Sequence, residues 1–193
     1  MARPSLKQER RAEILDAYGR CVLRYGVEGA TLARTADEAG LARALIRHNV
    51  GNKDELLAAF LERFFERSIE DSRDFVASMP DRDRIPALLD GLFNPDYTDR
   101  EDVGLSTALI VAAADRPDLG EQLRTWTQDF ITDLEEILKG EFPKASPAAI
   151  RAVATGVAAI HGDAQSLTLI GEMAEHHRQS EAAAAALIGT LAS

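Results

Sequence analysis

The stretch TLARTADEAGLARALIRHN, residues 31–49, decides the fold. Thr31 has the side chain of a helix N-cap, and the run Leu32 to Ala39 behind it suits a short helix. Gly40 can adopt the left-handed turn that ends such a helix. A second short helix is expected from Ala42 to Asn49. Two short helices around a tight glycine turn have the layout of a helix-turn-helix. In that motif the second helix enters the DNA major groove and the first braces it. The second helix offers Ala42, Arg43, Leu45, Ile46, Arg47, His48 and Asn49. Arginine can fork onto guanine O6 and N7, and asparagine can pair with adenine. Thr31 sits at a helix N-terminus, where N–H groups and a hydroxyl can hold a phosphate. Arg34 on the bracing helix and Lys53 just beyond the motif join the expected contact set. Arg3, Lys7, Arg10 and Arg11 form a basic arm suited to further phosphate contacts.

Helical periodicity continues on both sides. Upstream, Ile14, Ala17, Tyr18, Cys21, Val22 and Tyr25 recur at steps of three and four, one apolar stripe that Gly26 should terminate. Downstream, Gly51-Asn52 breaks the chain, and Asn52 is placed to cap a long helix through Leu56, Leu57, Phe60, Phe64 and Phe65 to about Ser78. Further helices are expected near 82–92, 101–115, 117–138, 147–170 and 180–191, with a loop at Asn94–Tyr97. Ser146-Pro147 carries the cap-then-proline signature of a helix start. Alternating strand patterns are nearly absent. The expected architecture is all-α, about nine helices: a three-helix DNA-binding head over 1–52 and a helical ligand-binding and dimerisation body over 53–193.

Composition agrees. The chain has 193 residues, 46% hydrophobic, which is ordinary for a globular protein. No apolar run approaches the roughly 18 residues of a membrane span. The basic N-terminus lacks the apolar stretch of a signal peptide, and the single cysteine, Cys21, excludes an internal disulfide, so a cytoplasmic location is expected. The net charge is −10, but it is unevenly distributed. Residues 1–53 hold ten basic and six acidic side chains, and the acidic excess lies entirely beyond them. Phosphate binding needs only local positive charge.

Residues 8–57 resemble the DNA-binding head of the TetR family of regulators. The matching string is Ile14-Leu15, Ala17, Tyr25-Gly26, Thr31, Ala36 and Ala39-Gly40-Leu41, then His48 and Lys53-Asp54-Glu55-Leu56-Leu57. The resemblance implies a homodimeric regulator, a repressor released from operator DNA by a small-molecule effector held in the body. The chain departs from the family at Thr35, usually isoleucine, and at Ala42, usually a serine that touches phosphate. Arg47 and Val50 stand where tyrosine and phenylalanine are usual. Those departures keep a second reading open, a DNA-binding regulator with no small-molecule effector, constitutive or partner-controlled.

No catalytic constellation, metal site or cofactor motif is expected. The adjacent His176 and His177 diverge by roughly 100° on a helix and cannot readily share a metal. An all-α enzyme or carrier therefore has no residues to act with. Asn94, Tyr97, Thr107, Trp126, Phe130, His161 and Gln165 are the candidate effector-lining residues, and their apolar bias suits a largely apolar effector with a few polar anchors. Trp126 and Phe130 are also compatible with plain core. The small-residue helix near 147–170 and the last helix carry the candidate dimer face, Ala152, Gly156, Ala159, Ile160, Leu187 and Leu191. The family pairs these two helices with their twofold copies.

Overall fold

A computed structural model describes residues 6–171 and 173–192. Among these it holds nine α-helices and no strand: α1 Leu6–Gly29, α2 Leu32–Ala39, α3 Arg43–Val50, α4 Lys53–Ser78, α5 Arg84–Phe93, α6 Arg100–Ala112, α7 Pro117–Glu141, α8 Pro147–Leu167 and α9 Ala174–Gly189. Short 3₁₀ turns follow α5, α6, α8 and α9. Arg3 of the basic arm lies outside the described residues.

The local signals act as read. Thr31 caps α2, its Oγ1 accepting the Arg34 N–H at 3.3 Å. Gly40 takes φ 64°, ψ 32°. There its N–H donates to Asp37 O and the Leu41 N–H reaches Ala36 O at 2.9 Å, which closes α2 with the paired bonds of a Schellman turn. A side chain at residue 40 would be strained at that φ. Asn52 and Glu55 form a reciprocal capping box: Asn52 Oδ1 accepts from Asp54 N and Glu55 N at 2.9 Å, and Glu55 Oε2 accepts from Asn52 N at 2.7 Å. Ser146 caps α8 by accepting from Ala149 N at 3.2 Å, with Pro147 next in line.

Two boundaries differ from expectation. Gly26 interrupts α1 with φ 68°, but helical turns resume to Gly29, because the break carries Val27 and Ala30 into the core at 2% and 0% exposure. α9 begins at Ala174, six residues ahead of the expected Ser180. Its polar first turns hid it: His177 and Ser180 are buried, and Glu175 accepts from both Arg178 and Gln179 one turn on.

The packing divides into two compact units. One runs to Ser72 and takes in Leu105–Leu119; the other holds Arg73–Gly104 and Gly120 onward. The first buries Ile14, Tyr18, Val22, Ile46, Leu56 and Leu109. Tyr18 meets Phe60 edge-on at 5.3 Å. Thr35 is buried there too, and its hydroxyl donates to Thr31 O at 3.0 Å, so the polar atom is satisfied. Cys21 is buried in the same stripe, and that burial pushes its thiol pKa up. The second unit centres on Leu88, Leu92, Phe93, Leu134, Leu138, Ile150, Val157 and Ile188. Among the described residues no helix is long and apolar enough to cross a membrane, and no cluster of metal-ligating side chains occurs.

Candidate nucleic-acid interface

α3 is anchored by one edge. Ile46 is fully buried and Val50 is 5% exposed, so this face is committed to the core. Burying each such side chain stabilises the head by roughly 1.5–3 kcal/mol. Ile46 therefore leaves the expected contact set: it holds the helix rather than meeting a base. The opposite edge presents Ala42, Arg43, Leu45, Arg47 and His48 to solvent. Among the described residues Arg43, Arg47 and His48 have no hydrogen-bond or ion-pair partner. Asn49 is half-buried and its Nδ2 donates to Leu45 O at 2.8 Å, which takes up one of its two N–H groups.

Beside this edge, Lys7, Arg10, Leu45, His48 and Asn49 border a groove of about 410 Å³ between the start of α1 and α3. Arg10 pairs with Glu13 at 2.9 Å, and Lys7 and Arg11 are exposed. The arm and the second helix are thus brought together.

Two expected phosphate contacts have intramolecular work as well. The Arg34 guanidinium lies 4.3 Å over the Tyr25 ring, and its Nη1 donates to Gly29 O at 2.7 Å. It fastens the end of α1 to α2. Lys53 Nζ donates to Glu28 Oε2 at 2.8 Å and to Glu28 O at 3.0 Å. Arg116 takes the other carboxylate oxygen, Nε to Oε1 at 2.9 Å. These bonds, that from Lys53 first, hold the Glu28 carboxyl below the usual carboxylate range. Glu38 is likewise held low, by the Arg20 guanidinium at 2.7 Å. Glu28 and Arg116 were not singled out in the sequence, where nothing marks pairs 25 and 88 residues apart.

The candidate effector residues fall in different places. His161 Nδ1 lies 2.8 Å from Leu92 O, and its ring packs on Phe93 at 5.9 Å and Phe130 at 5.6 Å. Since a carbonyl can only accept, Nδ1 carries the proton, and burial lowers the ring's pKa, favouring the neutral form. Asn94 caps the 3₁₀ turn Pro95–Tyr97 through Asp96 N at 3.0 Å. Trp126 and Gln165 are half-buried, and Tyr97 is 66% exposed. Thr107 belongs to the first unit and the other six to the second. On the candidate dimer face, Ala152 and Ala159 are exposed and Ile160 is half-buried, while Leu191 is buried within its own chain. Gly156 receives Leu187: a Cβ there would lie 2.5 Å from Leu187 Cδ2.

No family model matches the chain. The chain is 36% identical over 91 residues to the transcriptional repressor AcnR of Corynebacterium jeikeium, covering 47% of this chain and 44% of AcnR. That match therefore spans less than half of the relative's length. It is 27% identical over 163 residues to the transcriptional regulator BetI of Paraburkholderia phytofirmans, covering 83% of this chain and 82% of BetI. A TetR transcription regulator from Haloarcula marismortui shares the fold with a TM-score of 0.73 and 22% identity, over 94% of this chain and 97% of that one. With the helix-turn-helix of α2 and α3 built as described, the chain is similar in sequence to curated helix-turn-helix transcriptional regulators and shares its fold with a TetR transcription regulator.

Proposed function

We propose that the chain is a homodimeric repressor that binds operator DNA through residues 1–52 and is released by a small, largely apolar effector held in residues 53–193. The observation that carries the DNA reading is the free edge of α3. Arg43, Arg47 and His48 are solvent-facing and unpaired among the described residues, on a helix whose other edge is locked into the core by Ile46 and Val50. A rigid helix with free forked donors is what groove reading requires. Lys7, Arg10 and Arg11 supply positive charge beside it, and Ala42, Leu45 and the α3 N-terminus complete the contact face.

Dimerisation through α8 and α9 would set two such helices about 34 Å apart, on successive turns of one groove. The exposed Ala152 and Ala159 support that face, since small side chains let helices approach closely. The aromatic cluster of Phe93, Phe130 and His161, with Asn94 beside Phe93 in sequence, supports an apolar effector site with polar anchors. Trp126, Gln165 and Tyr97 belong to the same proposal. Effector binding would favour a dimer whose two heads no longer match the operator spacing.

Fluorescence anisotropy on labelled DNA from upstream of the chain's own gene and its neighbours tests this. Specific, salt-sensitive binding that a small apolar compound abolishes is the expected result. Binding that no compound changes would leave a regulator without an effector; no binding at all would remove the DNA reading.

A further inference from the structure

An α-helix turns by about 100° per residue, so the two buried side chains of α3 fix the direction of the others. Ile46 and Val50 are 0% and 5% exposed and point into the core. His48 lies about 180° from their mean direction, Ala44 about 140° and Leu45 about 120°. These three form the pole that meets the floor of a DNA groove. Arg47 leaves along one flank and Asn49 along the other, each at about 80°. Ala44 is exposed, and Leu45 keeps 37% of its surface in solvent. Two of the three side chains at the pole therefore carry no polar atom. Nor does α3, Arg43–Val50, carry an acidic side chain.

The bases make such a pole selective. Hydrogen-bond readout needs donors or acceptors, and hydrocarbon supplies neither. Thymine alone offers a hydrocarbon group in the major groove, its C5 methyl. Cytosine in the same place would press its N4 amino group against Ala44 and Leu45, and α3 has no carboxylate to accept from it. A donor left desolvated and unpaired in that way is unfavourable. Guanine suits the flank instead, where Arg43 and Arg47 carry forked donors. On the DNA-binding reading above, on which this step rests, we propose that Leu45 is a specificity-determining residue. With Ala44 it seats the C5 methyl of a thymine, so each operator half-site carries a thymine facing the first turn of α3.

The experiment starts by selecting duplexes from a random-sequence DNA library with the full chain. Each thymine of the enriched half-site is then replaced by deoxyuridine, which lacks only the methyl, and anisotropy titration compares the duplexes. At one thymine per half-site, deoxyuridine should weaken wild-type binding about fourfold, the worth of one buried methyl group. Leu45→Ala should shrink that ratio below about twofold, since most of the hydrocarbon facing the methyl is gone. Leu45→Met keeps the hydrocarbon and should keep the discrimination. A substitution that merely loosened α3 would weaken both duplexes and leave their ratio unchanged. Deoxyuridine tolerated at every thymine, or a thymine preference that Leu45→Ala leaves intact, would overturn the assignment while DNA binding stood. Failure to enrich any sequence would remove both.

Discussion

Lys53 Nζ sits 2.8 Å from Glu28 Oε2, so the first lysine of α4 is tied to the end of α1. Arg116 clamps the same carboxylate from the α6–α7 turn. All three side chains are at least partly exposed, so the cluster contributes at most about 1 kcal/mol per pair to stability. Its larger effect is on charge. Glu28→Gln should release Lys53 for phosphate, strengthen DNA binding across all sequences and steepen its salt dependence by about one unit of slope. Anisotropy titrations at several salt concentrations read this directly, and an unchanged slope would show that Lys53 does not reach the backbone.

The same cluster gives a pH dependence. The Glu28 carboxyl is depressed, chiefly by the Lys53 bond. A depressed folded-state pKa stabilises above the unfolded carboxylate value, and the gain is lost as pH falls through the folded value. Wild type should thus lose slightly more stability on acidification than Glu28→Gln. Melting temperatures from neutral to acid pH compare the two.

Ile46 and its neighbours on α3 separate two kinds of damage. Ile46→Ala removes a fully buried side chain and should cost about 2–5 kcal/mol of folding stability. Its DNA binding should fail through unfolding, visible by circular dichroism. Arg43→Ala and Arg47→Ala lie on the exposed edge and should leave the melt unchanged. Each should weaken operator binding by about 1–3 kcal/mol if it reads a base, or weaken all DNA alike if it holds phosphate. Loss in neither variant would take the groove away from α3.

The contrast explains what was legible in advance. Caps and turns are local, so Thr31, Gly40, Asn52 and Ser146 announced helix starts and stops from a few residues of sequence. Burial on an eight-residue helix is not local. Ile46 and Arg47 are adjacent and both suit a recognition helix, and only packing of α3 against α1 and α2 decides that one is core and the other free. The Lys53–Glu28–Arg116 bridge joins three distant segments by side-chain reach, which no periodicity encodes. The start of α9 was missed for a related reason: its buried residues, His177 and Ser180, are polar, so the apolar stripe gives no warning.

Thr35 stands where isoleucine is usual in the TetR heads that residues 8–57 resemble, and makes a sharper test of the head. Its hydroxyl donates to Thr31 O, which already accepts the Thr35 backbone N–H at 2.9 Å. Thr35→Val keeps the shape and deletes a donor whose acceptor remains satisfied. Removing a hydrogen bond without orphaning its partner is close to neutral. The change should therefore stay within about 1 kcal/mol by urea denaturation. A larger loss would mean that the hydroxyl holds the α2 start in place beyond what the Thr31 cap provides.

Gly156 sets two effects of similar size against each other. Replacing a helix-interior glycine with alanine favours the helix by about 1 kcal/mol. The new Cβ, however, would lie 2.5 Å from Leu187 Cδ2, closer than carbon atoms can approach. Leu187 is half-buried on α9 and can swing aside only by giving up its place against α8. Gly156→Ala alone should therefore be neutral to destabilising despite the better propensity. Leu187→Ala alone should destabilise by leaving a gap. Together they should cost less than the sum, by at least about 0.5 kcal/mol, because alanine at 156 fills part of the space that leucine vacates. A double-mutant cycle in urea measures that coupling, and strict additivity would mean that α8 and α9 do not meet through this pair in solution.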